Sequence, residues 1–361
     1  MSNQLLISKV SKAFPGVQAL NEVNLNLTSG TVHALLGENG AGKSTLIKII
    51  TGVYLADSGS LKVEGVEKSF HNPIESTHSG IAVVHQERNL IPEFSVEENI
   101  TLHNPPLKLG IIDRKERTRL AKQALETLGF EIDLTERVKN LSVAQMQLVE
   151  IAKALVTNAK IILLDEPYSN LDSRLKEKIR DQMLHILREH NISALLVTHD
   201  PEEAMFMSDK IGVLNNGVVE QFGSPIDLYL RPKSAFIAEF FGEINLFEGS
   251  VDGGLVNTVL GTFKCSKKLN KNKVTIVIRN EAIKLYAVNK VKSQIVNENA
   301  FIVSPYFGYV METRLLAGST LIHLSLKVNQ TNFHIHARIP GLNFFHVNDK
   351  VKVLTDPSQI F

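Results

Sequence analysis

The sequence predicts an α/β fold over residues 1–235, followed by a small all-β domain over residues 240–361. In the first part, short apolar stretches alternate with amphipathic helical patterns, as in a layered α/β protein. After residues 229–232 the pattern changes to short β-rich segments separated by turn residues, which is typical of a barrel or sandwich. We therefore place a domain boundary between residues 235 and 245.

The individual elements follow from the period of the apolar residues. Alternating apolar and polar residues predict strands at residues 5–10 and 23–27, and apolar runs predict strands at 32–36, 161–164 and 194–197. Short β-rich stretches follow at 274–278, 300–303, 321–328, 333–339 and 351–354. Helical patterns cover residues 113–128, 146–155, 175–190 and 236–241. The runs at 161–164 and 194–197 are apolar throughout, as expected for central strands covered on both faces. The charged helix between them then forms a βαβ crossover.

Composition restricts the class of protein. The 361 residues carry 39 Lys and Arg against 38 Asp and Glu, so charge gives no argument for a nucleic-acid partner. The single cysteine, Cys265, excludes an internal disulfide and fits a reducing compartment. No apolar run approaches a membrane span, and the start lacks a signal-peptide pattern. We therefore expect a soluble protein whose membrane role, if it has one, depends on a partner.

Residues 37–44 read GENGAGKS, a complete phosphate-binding loop between a strand and a helical pattern. The glycines let the backbone turn its N–H groups towards a polyphosphate, and the next helix points its positive end at the same anion. Lys43 would reach the β- and γ-phosphates, and the Ser44 hydroxyl would ligate Mg²⁺. The residues expected to hold a nucleoside triphosphate here are Gly37, Glu38, Asn39, Gly40, Ala41, Gly42, Lys43, Ser44 and Thr45.

A second motif, IILLDE at residues 161–166, narrows the chemistry. Asp165 at the end of the apolar strand would hold Mg²⁺, directly or through water, and Glu166 would polarise an attacking water. The alternative is a buried strand that ends in two solvated acids. The phosphate-binding loop upstream favours the nucleotide interpretation.

The segment LSVAQ at residues 141–145, followed by a helical run, resembles the signature of ABC transporter nucleotide-binding subunits, which is Leu-Ser-Gly-Gly-Gln. Ser142 and Gln145 match this signature, whereas Val143 and Ala144 depart from it. The resemblance implies two subunits paired head to tail, with this helix N-terminus capping the γ-phosphate held by the partner. Ala144 replaces the glycine that allows a close approach of the backbone. We therefore expect it to affect how fast and how tightly the two subunits close on the nucleotide.

The same resemblance implies further roles. Phe14 would stack on adenine, with a core aromatic as the alternative. Gln86 would contact Mg²⁺ and water and sense the membrane subunit. Asp172, in the segment SNLD at residues 169–172, would cross the dimer interface. His199 would touch the γ-phosphate and hold the water together with Glu166.

The resemblance also implies the partners of the chain. Residues 89–155 would form a helical subdomain, the first part of which grips the coupling helix of a permease. We therefore expect ATP and Mg²⁺ as cofactors, a homodimer, transmembrane permease subunits and, indirectly, a periplasmic or extracellular solute-binding protein. The chain would lie peripherally on the cytoplasmic face of the cell membrane, without a nucleic-acid partner.

The transported solute is left open between two classes. Residues 1–158 resemble the ATPases of ribose- and galactoside-type sugar importers, whereas the chain from residue 165 onward resembles those of ferric-iron importers. The chain thus resembles a composite with a seam near residues 155–165. The tail resembles a regulatory TOBE or OB-like domain, with Asn280 in place of the proline of its Arg-Pro-Glu segment. One cassette plus such a tail favours ferric iron.

Three other interpretations remain. A sugar importer is the alternative that the first half favours. A soluble ABC ATPase without a permease would usually carry paired cassettes or long inserts, and neither is evident. A regulatory protein with weak hydrolysis is the interpretation that Ala144 permits.

Overall fold

A computed structural model describes residues 3–85, 89–157, 159–169, 171–264, 272–288, 301–343 and 345–361. The chain divides into two compact units, Met1–Leu228 and Tyr229–Phe361. This division lies N-terminal to the domain boundary expected between residues 235 and 245. Among the described residues, no helix is long and apolar enough to span a lipid bilayer.

The strands are β1 Asn3–Phe14, β2 Val17–Thr28, β3 Val32–Leu36, β4 Ser58–Val63, β5 Val66–Lys68, β6 Ile81–Val84, β7 Leu107–Lys108, β8 Ile111–Ile112, β9 Ile161–Asp165, β10 Ser193–Thr198, β11 Lys210–Asn215, β12 Val218–Gly223, β13 Ile244–Asp252, β14 Leu255–Thr258, β15 Gly261–Lys264, β16 Lys273–Arg279, β17 Ile283–Ala287, β18 Ile302–Leu316, β19 Ser319–Val328, β20 Thr331–Pro340 and β21 Lys350–Thr355. The helices are α1 Lys43–Ile50, α2 Pro73–His78, α3 Val96–Ile100, α4 Arg114–Thr127, α5 Val143–Val156, α6 Ser173–Glu189, α7 Pro201–Met207, α8 Pro225–Leu230 and α9 Ala235–Phe240.

The first unit is built on a mostly parallel sheet. In the described part of the chain, six strands take the order β12-β11-β3-β10-β9-β6, and only the edge pair β11–β12 is antiparallel. Every residue of β3 and β10 is buried, which explains why most of their side chains are apolar. The polar exceptions are His33 in β3 and Ser193 and Thr198 at the two ends of β10. The α/β fold class is confirmed.

A second, antiparallel sheet covers one face of α1. Its order among the described residues is β2-β1-β4-β5. Side chains of β1 and β2, including Leu5 and Leu20, are fully buried in one core with Leu46 and Ile50 of α1. This packing fixes the direction in which α1 leaves the parallel sheet, and therefore where its N-terminus points.

The second unit is β-rich and antiparallel. Its described strands form one sheet of order β15-β14-β13-β16 and another of order β17-β21-β18-β19-β20. In β19 and β20 alternate side chains, such as Leu324 and Ile335, enter the core, while their neighbours lie on the opposite face. An OB fold is a five-stranded Greek-key barrel, and these two sheets do not confirm that assignment.

Arg279 and Asn280 occupy the segment compared above with Arg-Pro-Glu. The Arg279 guanidinium is buried, stacks 3.9 Å from the ring centroid of Tyr229, and donates to the backbone oxygens of Tyr229 and Ala238 at 2.8 and 3.1 Å. Asn280 Oδ1 accepts a hydrogen bond from Asn245 Nδ2 at 2.7 Å, and Asn280 Nδ2 donates to Glu243 Oε2 at 3.0 Å. A proline could make neither bond, so the departure from the motif is matched by a polar network.

Candidate active site

Three adjacent parallel strands bring the predicted motifs to one edge of the sheet. Leu36 of β3 lies opposite Thr198 of β10, and Asp165 of β9 lies opposite Val197. The loop after β3, the acids at the end of β9 and the residue after β10 therefore meet at the carboxyl edge. This is the edge at which ligands of parallel α/β sheets bind.

The phosphate-binding loop has a backbone that only glycine accommodates at two places. A Cβ on Gly37 would lie 2.5 Å from the oxygen of Leu214, and one on Gly42 would lie 2.4 Å from the oxygen of Ala19. Gly42 also has φ 109°, outside the range of ordinary side chains. As the N-cap of α1 it offers no side chain to the first N–H groups of the helix, which therefore remain available to an anion.

Lys43 folds back over this loop. Its Nζ donates to the backbone oxygens of Gly37 at 2.7 Å and Glu38 at 3.0 Å. Burial lowers the pKa of Lys43, and the nearby carboxylates of Glu166 and Asp165 oppose that shift. Among the described residues, the hydrogen-bond acceptors of this buried ammonium are these two backbone carbonyls, which phosphate oxygens of a nucleotide could replace.

Asp165 and Glu166 differ in environment although they are neighbours. Burial, and then the charge of Glu166, raises the pKa of Asp165 to about 6, with Lys43 opposing. Glu166 has φ 46°, in the left-handed region, and its N–H donates to the oxygen of Val197 at 2.8 Å. Backbone strain of this kind in a non-glycine residue is typical of functional sites.

His199 lies beside Glu166, with its Nδ1 3.1 Å from Glu166 Oε1. The histidine side chain is about half exposed, whereas that of Glu166 is 11% exposed. The Glu166 carboxylate is therefore enclosed by the protein, and the His199 imidazole is accessible to solvent.

A partly buried hydrogen-bond network, not predicted from the sequence, involves the residues on either side of His199 in the chain. Thr198 Oγ1 donates to Glu203 at 2.6 Å and accepts from the N–H of Asp200 at 3.0 Å. Lys176 of α6 bridges Asp200 and Glu203, at 2.6 Å from each. The DPEE sequence at residues 200–203 indicates the start of α7, because Asp before Pro-Glu-Glu is a helix N-cap pattern. That pattern could have pointed to Asp200 and Glu203.

Phe14 is half-buried at the end of β1. Its ring packs edge-on against Tyr54 with centroids 5.3 Å apart, and Lys12 Nζ lies 5.7 Å from the ring centre. These contacts fit an aromatic platform and a structural aromatic equally, so the adenine role stays a prediction.

Ser142 and Gln145 form a reciprocal capping box at the start of α5. The N–H of Gln145 donates to Ser142 Oγ at 3.3 Å, and the N–H of Ser142 donates to Gln145 Oε1 at 2.9 Å. The Ser-x-x-Gln spacing signals this box in the sequence, although the sequence analysis used it only as a family motif. Because Ser142 is exposed, its role towards a second chain also stays a prediction.

The remaining predicted residues lie as follows. Asp172 caps α6 by accepting from the N–H of Leu175 at 3.0 Å. Ser44 is exposed and Thr45 is half-buried at the first turn of α1. Gln86 lies outside the described residues.

Two buried charges on α5 were not predicted from the sequence. Lys153 Nζ donates to the backbone oxygen of Asn89 at 3.0 Å, and the N–H of Asn89 bonds the carboxylate of Glu150. Both side chains are at most 5% exposed. The sequence pattern that could have predicted them is a pair of opposite charges, three residues apart, on the apolar face of an amphipathic helix.

A glycine loop with a buried lysine, a histidine after the neighbouring strand β10, and two acids at the end of the next strand β9 define a P-loop nucleotide-binding protein. The family model described as ABC transporter matches residues 20–169. A dimeric ATP-binding cassette in a post-hydrolysis state with ADP and Pi, MJ0796, is 30% identical, with a TM-score of 0.56 over 61% of this chain and 98% of that chain. The chain belongs to the ABC transporter ATP-binding cassette family, and it carries an ATP-binding ATPase domain of that class.

Import proteins are among the curated relatives that the chain matches. The ribose import ATP-binding protein RbsA 1 of Streptomyces avermitilis is 43% identical over 213 residues, which are 59% of this chain and 41% of that protein. The arabinose import ATP-binding protein AraG of Rhizobium meliloti is 40% identical over 217 residues, 60% and 42% of the two chains. The chain spans about two fifths of the length of the curated relatives it matches.

Proposed function

We propose that the chain is the ATP-hydrolysing subunit of an ABC importer that takes up a sugar through partner permease subunits. The observation that supports hydrolysis best is the pairing of Glu166 with His199 at the carboxyl edge of the sheet, next to Lys43. The relatives support the importer class and its solute, since those compared above are import proteins for ribose and arabinose.

The extent of the similarity bears on the choice between sugar and ferric iron. The 213 residues aligned with the ribose import protein exceed the 165 residues that end at the expected seam. Similarity to a sugar import protein therefore continues into the part that the sequence analysis compared with iron importers. This favours the sugar alternative over the ferric-iron expectation, and neither iron transport nor a TOBE-type tail gains support.

The residues at the site fit a Mg²⁺ ion bound together with the nucleotide. Mg²⁺ prefers oxygen donors and takes one or two from the protein when phosphates supply others. The exposed hydroxyl of Ser44 and the carboxylate of Asp165 are such donors, at the mouth of a loop whose backbone only glycine accommodates. We propose these two residues and Gln86 as the metal-binding set. When bound, the ion would neutralise charge on the phosphates.

The protein residues then have separate tasks. The loop N–H groups and Lys43 hold the phosphates, and Glu166 accepts the proton of the attacking water. His199, whose Nδ1 lies 3.1 Å from Glu166 Oε1, positions that water for in-line attack and stabilises the γ-phosphate. Ser142 caps the nucleotide of the opposite chain in a head-to-tail dimer, with Gln145 and Asp172 near the interface.

The coupling surface is proposed to lie in residues 89–155. There α5 connects the capping box at Ser142 with the buried contact between Lys153 and Asn89, three residues beyond Gln86. Closure of the dimer would thus bear on the permease through the Gln86 region. A solute-binding protein outside the membrane would deliver the sugar, and this chain would act on the cytoplasmic face.

The test is ATP turnover of the chain reconstituted in vesicles with a sugar permease or a ferric-iron permease, each with its binding protein. The proposal expects turnover to rise with sugar-loaded binding protein and to stay basal with iron-loaded protein. Stimulation by the iron system alone would reject the sugar assignment. Equal turnover with and without either permease would reject the importer role and favour a soluble ABC ATPase.

A further inference from the structure

The outer face of the β-rich unit carries an imidazole cluster that the nucleotide chemistry does not use. His323 of β19 lies directly opposite His336 of β20, and Ser325 lies opposite His334. Since Leu324 and Ile335 enter the core, the histidines on either side of them occupy the other face of the sheet. Three strands contribute, because Glu312 of β18 lies opposite His323.

The two central imidazoles are close to each other. The ring centroids of His323 and His336 are 4.3 Å apart and the ring planes are tilted by 47°. A carboxylate lies on the outer side of the pair, with Glu312 Oε2 3.9 Å from His323 Nδ1. A cavity of about 240 Å³ opens here, lined by Met311, Glu312, His323, Leu324, His334, Ile335 and His336.

We propose that His323 and His336 form a chelating pair for a divalent transition-metal ion of the Zn²⁺, Ni²⁺ and Cu²⁺ class, completed by Glu312 or His334. Zn–N bonds are about 2.0–2.1 Å long. Because the two ring centroids are 4.3 Å apart, small rotations of the side chains would place one nitrogen of each ring at bonding distance from the same ion. Imidazole is the protein ligand that these ions share, whereas Mg²⁺ and Ca²⁺ prefer oxygen.

The surroundings set how the site binds. In the described part of the chain, no three His, Cys, Asp or Glu side chains already converge on one metal position. The preformed part is therefore the histidine pair, and the further ligand must move. Glu312 is shared with Arg314, which donates to both of its oxygens at 2.7 and 3.1 Å. An ion would have to draw the carboxylate away from that guanidinium.

Other titratable side chains surround His336. Burial, and then the neighbouring His323, lowers the pKa of His336; Glu243 opposes this shift, and His334 adds to it. Transition-metal ions bind the neutral form of imidazole.

The experiment titrates ZnCl₂ and NiCl₂ into the full chain without nucleotide and follows binding by calorimetry. CuCl₂ is followed by electron paramagnetic resonance, which detects coordinated nitrogen. We expect one Zn²⁺ per chain, bound at least about tenfold more weakly by His323→Asn and by His336→Asn, since even loss of an outer supporting group costs that much. CaCl₂ should show no binding that depends on these histidines.

The matched control is His346→Asn, since His346 is exposed in the same unit and outside the cavity. It should bind Zn²⁺ as the wild type does. The proposal fails if the wild type binds no more Zn²⁺ than the His323→Asn/His336→Asn double variant. It also fails if His346→Asn weakens binding as much as either variant in the pair, or if the copper spectrum lacks nitrogen coupling. Circular dichroism of each variant verifies that the fold is retained.

Discussion

Nδ1 of His199 lies 3.1 Å from Oε1 of Glu166, although the two residues are 33 positions apart in the sequence. The distance is short because β9 and β10 are adjacent and parallel, so that both strands deliver their next residue to the same edge. The pair combines a carboxylate that is 11% exposed with an imidazole that is half exposed. Such a pair can hold a water molecule from two sides.

His199→Ala should therefore slow ATP turnover while leaving ATP binding nearly intact. We expect kcat to fall about a hundredfold, the usual effect of removing one preorganised donor from a transition state. Steady-state kinetics and nucleotide titration separate the two effects. His185→Ala is the control, because His185 is an exposed histidine on α6 that pairs with Glu189. An equal loss of affinity and turnover in His199→Ala would contradict the assigned role.

Lys43→Ala should weaken ATP binding. The variant removes a buried ammonium whose present partners are two loop carbonyls, at 2.7 and 3.0 Å. We expect affinity to fall by about tenfold to a hundredfold, because a hydrogen bond to a charged group contributes about 1.5–3 kcal/mol. Fluorescent-nucleotide titration measures this, and the exposed Lys68→Ala provides the comparison. Unchanged affinity and turnover would show that Lys43 does not hold the phosphates.

Asp165→Asn should stabilise the nucleotide-free protein, more so as the pH rises. In the folded state the pKa of Asp165 is about 6, above its ordinary value of 3.8. Between these values the folded state binds more protons than the unfolded state, so its stability falls as the pH rises. Asn does not titrate, so Asp165→Asn does not lose stability in this way. The free energy of unfolding of the variant relative to the wild type should therefore increase from pH 4 to pH 7 by about 1–3 kcal/mol.

Urea unfolding at both pH values, with a chelator present, measures that difference. Asp133→Asn is the opposing control, because hydrogen bonds from Thr135 lower the pKa of the exposed Asp133. Its carboxylate contributes stability above the unfolded pKa and loses that contribution as the pH falls. A pH-independent advantage for Asp165→Asn would mean that the carboxyl is not raised in pKa.

Ser142→Ala should affect both the helix and the dimer. Loss of an N-cap hydroxyl costs about 1 kcal/mol of stability. Ser95→Ala is a matched control, since Ser95 forms the same kind of capping box with Glu98 at the start of α3. Both variants should lose similar stability in thermal unfolding, and only Ser142→Ala should reduce ATP-dependent dimerisation in sedimentation. If Ser142→Ala and Ser95→Ala dimerise equally well, Ser142 acts as a helix cap and does not contribute to the dimer.

Local chemistry in the sequence predicted much of the site and the α/β unit. The glycine positions of the loop and the acids after an apolar strand follow from short-range rules, and so does the helix predicted at residues 113–128. That helix is observed at Arg114–Thr127 because Asp113 caps it, accepting from the N–H groups of Lys115 and Glu116.

Two features that depend on distant partners were not predicted, and neither was one hairpin that has a local signal. The left-handed backbone of Glu166 arises where its N–H reaches Val197 on the next strand. The hairpin of β11 and β12 was missed although its two-residue turn, Asn216-Gly217, has the positive φ values that an Asn-Gly pair favours. The position of β11 beside β3 is set by the sheet as a whole and has no local signal.

The most direct test of the account is Glu166→Gln with ATP and Mg²⁺, measured by turnover and by sedimentation. The account predicts loss of hydrolysis by about a hundredfold or more, together with a stable ATP-bound dimer, because the nucleotide is held but water is not activated. Glu202→Gln, an exposed acid on α7, should behave as the wild type. Native turnover in Glu166→Gln, with no ATP-dependent dimer, would contradict the assignment of the catalytic base and the head-to-tail mechanism together.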